Sequence, residues 1–331
     1  MKIVADKAIP FLESVFDPFA VVVRIEGSKI SSDDVRDADA LIVRTRTRCD
    51  AALLDGSAVR FIATATIGFD HIDLDYCRSH GIGTATAAGC NARGVLQWVA
   101  ATLAALSERH GFVPHERTLG IVGVGNVGRL VKEYAESWGF RVICCDPPRE
   151  EREHLGFLPL DEVLHRADIL TLHVPLDAST RHLIDARTLA RMHEGAVVIN
   201  ASRGEVVDTE ALLDSGFDCA IDVWEHEPDI DRRLLEKAVI ATPHIAGYSL
   251  QGKANATAMA VGAVARHFEL PLEGWYPEGV ERTVPRPIAW HELCGTIRSR
   301  YDIAADTESL RRNADCFEAL RNGYRYREEY F

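Results

Sequence analysis

Residues Thr118 to Pro147 read TLGIVGVGNVGRLVKEYAESWGFRVICCDP, and the rest of the chain is organised around this stretch. Leu119 to Val124 is a short apolar run that enters three glycines, Gly123, Gly125 and Gly128, in a G-x-G-x-x-G frame. Asn126 to Trp138 then places apolar residues at helical spacing until Gly139, which can take the left-handed conformation that stops a helix. A second strand follows and ends in Asp146. In such a strand-turn-helix unit the first glycine permits the tight turn and the second lets backbone approach a pyrophosphate. The third lets helix pack close on strand, and the amides of the helix's first turn face the phosphates. The spacing predicts a dinucleotide site at Gly123, Gly125, Asn126, Val127 and Gly128. Asp146 lies 18 residues beyond Gly128, near the separation at which a carboxylate accepts from the adenosine ribose and repels a 2′-phosphate. NAD is therefore expected rather than NADP, with Arg149 the neighbouring cation that would oppose the preference. A plain strand-to-helix turn explains the glycines but not the terminal acid.

Length and composition bound the answer. A chain of 331 residues exceeds one ordinary core and predicts two domains with an appendage. The 47% apolar and 26% charged residues match a globular protein, and no apolar run approaches a membrane span. The N-terminus, MKIVADKAIP, enters a strand-like segment without the basic and apolar regions of a signal peptide, so a cytoplasmic location is expected. A net charge of −13 argues against nucleic-acid or anionic-membrane partners. The eight cysteines form no C-x-x-C pair and are expected to be reduced, buried and inert, with no metal site.

Strand-like and helix-like segments alternate along the chain. Lys2 to Ala88 gives KIVAD, a helix near Phe11 to Phe16, AVVVRI, a helix near Ser31 to Ala38, ALIVRT, RFIATAT and GIGTATA, the pattern of a small parallel α/β domain. Val95 to Leu106 reads as a linking helix closed by Gly111 and Pro114. Strand centres at Ile121, Val142, Leu170, Val198, Ile221 and Ile240 complete a doubly wound sheet, at whose carboxyl ends ligands bind. Asp146, Pro175, Arg203, Asp222 and His244 all fall there. Ser249 to Phe268 has a helical pattern that returns to the first domain, and from Glu269 prolines and aromatics mark a change of composition. The expected fold is α/β. A Rossmann NAD domain (91–248) is inserted in a flavodoxin-like substrate domain (1–90 and 249–269), followed by a small C-terminal α+β dimerisation domain (270–331).

Three strand-end segments bring reactive groups: NASRG with Ala201, Ser202 and Arg203, DVWEHEP with Glu227, and TPHIAGY with His244. Hydride transfer from a 2-hydroxy acid needs a base for the hydroxyl proton, a cation for the carboxylate and a nicotinamide face beside C2. His244 fits the base and Arg203 the cation. Glu227 suits the far imidazole nitrogen, and Asp222 is placed to receive the nicotinamide carboxamide. Taken together and in order, GIVGVGNVG, the strand ending in Asp146, HVPL, NASRGEVVD, DVWEHEP and TPHIAGYS resemble the NAD-dependent D-2-hydroxyacid dehydrogenases, over about Met1 to Phe268. ATATIGFDHID, AAGCNARGV, CDPPR and TPHIAGYSLQGKA are similar to segments of members acting on a phosphorylated 2-hydroxy acid. YDIAADTESLRR and FEALRNGYRYRE resemble part of the domain through which those members dimerise.

The resemblance implies catalysis by Arg203, Glu227 and His244, NAD contacts at Asp146, Val174, Asp222 and Gly247, and substrate contacts at Thr45, Thr66 and Tyr248. Thr45 stands where a serine is expected and keeps the hydroxyl; Val174 stands where a threonine is expected and offers only backbone. The partners implied are a small phosphorylated 2-hydroxy acid and a second copy of the chain, with neither nucleic acid nor membrane. RTRTR (Arg44 to Arg48) holds the candidates for the phosphate: a turn there lets Arg44 and Thr45 converge on one ligand, whereas continued strand separates them. Another 2-hydroxyacid dehydrogenase, of phosphoglycerate or glyoxylate type, and a non-catalytic NAD(H)-sensing protein remain open as alternatives.

Overall fold

The computed structural model describes all residues from Met1 to Phe331, and the chain divides into two compact units. Unit 1 comprises Met1–Asn91 and Leu250–Arg282; unit 2 comprises Ala92–Ser249 and Thr283–Phe331.

Unit 1 is a five-stranded parallel sheet of β1 (Lys2–Asp6), β2 (Val21–Ile25), β3 (Ala40–Val43), β4 (Phe61–Thr64) and β5 (Gly83–Thr86), in the order β2-β1-β3-β4-β5. This is the flavodoxin-like order. Strands β1, β3 and β4 are covered on both faces, which is why Ile3, Val4, Leu41, Ile42, Ile62 and Ala63 are all fully buried. The helix Leu250–His267 contributes Ala260, Val261, Ala263 and Val264 to the same core as Ile3, Ala5 and Ile42. The helix expected near Phe11 to Phe16 is absent. Phe11 and Ser14 take φ of 62° and 59°, which interrupts helical hydrogen bonding, while Ile9, Leu12 and Phe16 are buried from a series of turns. The segment near Ser31 to Ala38 forms only one turn, Ser32–Val35, capped by Asp34, whose carboxylate accepts from the Ser31 amide at 2.8 Å.

Unit 2 is a six-stranded parallel sheet of β6 (Thr118–Val122), β7 (Arg141–Cys145), β8 (Ile169–Leu172), β9 (Val197–Asn200), β10 (Asp218–Ile221) and β11 (Ile240–Ala241). The order β11-β10-β9-β8-β6-β7 reverses direction between β6 and β8, the switch point at which doubly wound sheets bind nucleotides. Beyond β7, Leu158 donates its amide to Cys144 at 2.8 Å, so one further stretch of chain lies along that edge. The helix Ala92–His110 is longer than the apolar stripe suggests and is closed by Gly111 at a φ of 67°. It buries Leu96, Trp98, Val99, Leu103 and Leu106.

The C-terminal region departs most from expectation. Residues 270–331 do not form a third unit. Residues 270–282 stay with unit 1, where Leu270, Leu272 and Trp275 pack against its core, and residues 283–331 belong to unit 2. Nor are the latter α+β: they form the helices Trp290–Arg300, Ile303–Arg312 and Phe317–Asn322, with one isolated bridge from Arg327 to Ser249. The cause is aromatic packing. Trp290 lies 5.7 Å from Trp138 and 5.6 Å from Phe140 between ring centroids, and Phe331 is fully buried 5.3 Å from Tyr134. Burying one such ring contributes about 1.5 to 3 kcal/mol, so these rings favour attachment to the outer face of the Asn126–Trp138 helix over an independent core. Six cysteines are buried, while Cys294 and Cys316, in this helical region, are exposed, contrary to the expectation that all are buried.

Candidate active site

At the switch point, the glycine frame is dictated by close approach. Gly123 has a φ of 87°, and a Cβ there would lie 2.7 Å from the His173 carbonyl oxygen; a Cβ on Gly128 would lie 2.0 Å from the Gly123 carbonyl oxygen. Gly125 differs, because a Cβ there would meet no protein atom within 4 Å. The space in front of it is open. A cavity of about 400 Å³ opens here, lined among others by Gly123, Gly125, Asp146, His173, Val174 and Pro175. Asn126 is exposed at the start of the helix, whereas the Val127 side chain packs into the core, leaving its backbone as the part that can face a ligand.

Asp146 caps the next helix. One carboxylate oxygen accepts from the Val124 amide at 2.7 Å and the other from the Arg149 amide at 3.1 Å, which fixes the side chain beside the glycine turn and leaves a lone pair on each oxygen for ribose hydroxyls. Arg149 is turned toward Glu153. Its guanidinium donates to the Val124 carbonyl at 2.6 Å and to Glu153 at 2.9 Å, so the Glu153 carboxylate already pairs with its charge.

The loops after β9, β10 and β11 hold the second part of the site. Asn200 organises the first. Its side-chain oxygen accepts from the Ser202 amide and hydroxyl, and its amide donates to the Arg203 carbonyl at 2.8 Å. Arg203, half-buried, spends one terminal nitrogen on the Ser202 carbonyl at 2.7 Å and keeps its remaining donors free. Ala201 is half-buried beside it. Gly204 fits directly against the second loop: a Cβ would lie 2.0 Å from the Trp224 carbonyl carbon, so only glycine allows Arg203 and the Trp224–Glu227 turn to approach this closely.

Glu227 and His244 form a hydrogen-bonded pair. Glu227 Oε2 lies 2.8 Å from His244 Nδ1, and Oε1 accepts from the Trp224 amide at 2.9 Å. Burial raises the Glu227 carboxyl, but His244 as charge and hydrogen-bond partner, the Trp224 amide and Arg321 together hold it below the usual carboxylate range. His244 itself has a φ of 56°, a conformation that costs a non-glycine residue on the order of 1 to 2 kcal/mol and is held by its amide donating to the Asp222 carbonyl at 2.7 Å. Asp222, 1% exposed, anchors the rest of this loop. Its Oδ1 accepts from the Thr242 hydroxyl at 2.6 Å and the Ile245 amide at 2.8 Å, and Oδ2 from the Ala246 amide at 2.9 Å. Burial pushes its carboxyl up, against the pull of His244, Thr242 and the two amides. Only Oδ2 retains a lone pair for a carboxamide donor.

What holds this loop from outside comes from the C-terminal residues. Arg327, buried, donates to the carbonyls of Ile245 at 3.1 Å, Tyr248 at 3.2 Å and Gly94 at 2.9 Å, and also to that of Ala246. Tyr248 packs edge-on between Tyr324 and Tyr326, its hydroxyl accepts from Arg321 Nε at 3.3 Å, and half-buried Gly247 lies between these anchors. The clue in the sequence was a tail with too many aromatics for disorder, among them Trp275, Tyr276, Trp290, Phe317 and Tyr324.

In unit 1, the Thr47 amide donates to the Arg44 carbonyl at 3.1 Å, so the RTRTR run turns instead of staying extended. Arg44 is half-buried, donating one terminal nitrogen to the Ala8 carbonyl at 3.1 Å, and Thr45 is exposed on the turn. The Thr66 hydroxyl lies 2.6 Å from that of Thr64 and 3.2 Å from the Gly68 carbonyl.

Comparison with known proteins agrees with this geometry. Residues 90–246 match the family model described as D-isomer specific 2-hydroxyacid dehydrogenase, NAD binding domain. The chain is 45% identical to an erythronate-4-phosphate dehydrogenase of Bacteroides fragilis, covering 99% of this chain and 97% of that protein. The chain belongs to the D-isomer-specific 2-hydroxyacid dehydrogenase family. An erythronate-4-phosphate dehydrogenase of Shigella flexneri is 40% identical over 100% of this chain and 92% of its own length. Among solved structures, D-lactate dehydrogenase from Aquifex aeolicus, complexed with NAD and lactic acid, superposes with a TM-score of 0.67 at 25% identity, over 85% of this chain and all of that one. The TT0316 protein of Thermus thermophilus gives a TM-score of 0.66 at 28% identity, over 84% of this chain and 99% of that one. As a member of this family the protein is an NAD-dependent dehydrogenase, and the cavity beside Gly125 and Asp146 is suited to that cofactor.

Proposed function

We propose that this protein oxidises 4-phospho-D-erythronate at C2 to 2-oxo-3-hydroxy-4-phosphobutanoate, a step in making pyridoxal 5′-phosphate. The observation that carries the reading is the 2.8 Å pair of His244 Nδ1 with Glu227, set at the same strand ends as Arg203 in a chain 45% identical to a named erythronate-4-phosphate dehydrogenase.

NAD, when bound, supplies the acceptor for the C2 hydride. His244, with Nδ1 committed to Glu227, presents Nε2 as the base that takes the C2 hydroxyl proton. Glu227 stabilises the imidazolium that forms and fixes the tautomer beforehand. Arg203 uses its free donors to hold the substrate carboxylate and polarise the C2 oxygen. Two electrons and a hydrogen nucleus leave C2 as hydride, and the hydroxyl proton goes to His244, so the product is a ketone with its carbon skeleton intact. Gly123, Gly125, Asn126, Val127 and Gly128 cradle the pyrophosphate and Asp146 the ribose. Val174, Ala201, Ser202, Asp222 and Gly247 complete the cofactor contacts. Arg44 and Thr45 contribute to phosphate recognition from their turn, with Thr66 and Tyr248 as further substrate contacts. The turn at Arg44–Thr47 supports the pairing of Arg44 with Thr45.

We also propose a cytoplasmic homodimer. No helix is long and apolar enough to cross a membrane, the cysteines are all unpaired, and the C-terminal residues resemble a dimerising segment.

The test is nicotinamide absorbance during incubation of the purified protein with NAD and a panel of 2-hydroxy acids. Oxidation of 4-phosphoerythronate in preference to phosphoglycerate and glycolate is expected. Preference for either of the others overturns the substrate assignment, and no turnover with any compound in either direction overturns the catalytic reading.

A further inference from the structure

The C-terminal segment brings a second guanidinium to the catalytic loops. Phe317, 1% exposed, anchors the helix Phe317–Asn322 in the core of unit 2, and this fixes Arg321 one turn later. Arg321 has a side chain 22% exposed; its Nε donates to the Tyr248 hydroxyl at 3.3 Å, and its Nη1 lies 3.6 Å from Glu227 Oε2. That distance exceeds a hydrogen bond, and the same oxygen is already bonded to His244. Both terminal nitrogens of Arg321 therefore keep their donors, next to a tyrosine hydroxyl and the acid-base pair. Arg327, the other arginine packed on this loop, has both terminal nitrogens engaged by four carbonyls.

The charges of Glu227 and Glu318 act on Arg321, but Glu227 makes no hydrogen bond with its terminal nitrogens, whose N–H groups can therefore take an anion from outside. Glu227 cannot serve once His244 takes a proton, because its charge is then opposed by the imidazolium. We propose that Arg321 is a specificity-determining residue that binds the terminal phosphate of the substrate, with the Tyr248 hydroxyl as its neighbour. This inference rests on the reaction proposed above. A phosphorylated 2-hydroxy acid carries two separate anionic ends. Arg203 matches the carboxylate, and Arg321 supplies the second cation from the same unit as the acid-base pair. A guanidinium fork suits phosphate geometry, and a charge-assisted contact of this kind changes affinity by about 10- to 150-fold.

The experiment compares Arg321→Ala, Arg321→Gln and Arg321→Lys with the parent, using 4-phosphoerythronate and unphosphorylated erythronate. Thermal midpoints identify any variant that fails to fold, and Gln keeps a donor for Tyr248 should Ala be unstable. Expected is a loss of about 10- to 150-fold in kcat/KM for the phosphorylated substrate, chiefly through KM, with little change for erythronate and partial recovery in the lysine variant. An equal loss on both substrates, or none on either, overturns the proposal and leaves Arg321 as a support for Tyr248 and Glu227. Calorimetric titration with inorganic phosphate in the presence of NADH gives a readout independent of turnover. Binding by the parent and its loss in Arg321→Ala and Arg321→Gln support the site even if no 2-hydroxy acid is oxidised, in which case only the reaction assignment fails. Phosphate binding that is unchanged in these variants, or absent from the parent, overturns the site.

Discussion

Replacing Glu227 by glutamine tests the centre of the site with almost no change of shape. The carboxylate serves two donors, the Trp224 amide at 2.9 Å and His244 Nδ1 at 2.8 Å, and a glutamine has one oxygen to replace two. With the oxygen toward Trp224, the side-chain amide faces His244, and the imidazole must present Nδ1 as acceptor. Nε2 then carries the proton and cannot accept another from a substrate hydroxyl. With the oxygen toward His244, the amide opposes the Trp224 N–H in a region where Glu227 is only 17% exposed, and a donor is left unpaired at about 1 to 3 kcal/mol. Loss of the charge that stabilises the imidazolium adds to either case. A charge-assisted hydrogen bond of about 1.5 to 3 kcal/mol corresponds to roughly 10- to 150-fold in kcat/KM, and the wrong tautomer behind a catalytic histidine costs about 10⁴-fold. Glu227→Gln should therefore fall between these limits in both directions of the reaction, while NADH affinity, measured by fluorescence titration, stays within about threefold because the cofactor cradle is untouched. A variant that folds, binds NADH and keeps kcat/KM within threefold of the parent would refute the role given to the Glu227–His244 pair.

Asp146→Ala should weaken NAD use while raising the relative use of NADP, since the carboxylate that repels a 2′-phosphate is gone and Arg149 is engaged by Glu153; an unchanged ratio of kcat/KM for the two cofactors would contradict the reading of Asp146. Gly204→Ala places a Cβ 2.0 Å from the Trp224 carbonyl carbon, so backbone must move; about 1 to 3 kcal/mol of stability should be lost in denaturant titration, with a disproportionate loss of kcat as the adjacent Arg203 shifts. Asp306 provides a test by pH. Burial raises its folded-state carboxyl from 3.8 to about 6, so the unfolded chain loses that proton first as pH rises and stability falls between roughly pH 4 and 6. Asp306→Asn should remove that fall and exceed the parent at pH 7.5 by on the order of 2 to 3 kcal/mol, with no gain below pH 4; parallel stability curves for the two proteins across this range would show the assignment to be wrong.

Much of unit 2 was legible from residues alone because its signals are local. A glycine turn, an apolar run before it, a helix after it and an acid at the next strand end lie within thirty consecutive residues, and the structure places the helix at Asn126–Trp138, where the spacing put it. The strand-end positions of Arg203, Asp222 and His244 also follow from counting strands, since a parallel sheet directs every carboxyl end to one edge. Local pattern failed where packing decided. Phe11 to Phe16 has the composition of a helix, yet its apolar side chains are buried from turns, a choice that depends on distant core residues. The prolines and aromatics after Glu269 mark a change of composition, but nothing in one strip of sequence says which surface Trp290 and Phe331 will cover. Tertiary structure alone decided that residues 283–331 fold onto unit 2, that Gly204 presses against Trp224, that Arg327, some eighty residues beyond the catalytic loop, holds it in place, and that Arg321 comes to lie beside Tyr248 and Glu227. Sequence periodicity reports the groups each residue meets within a turn or a strand; contacts across such separations depend on shape and on which buried donors find acceptors, and those exist only once the chain has closed on itself.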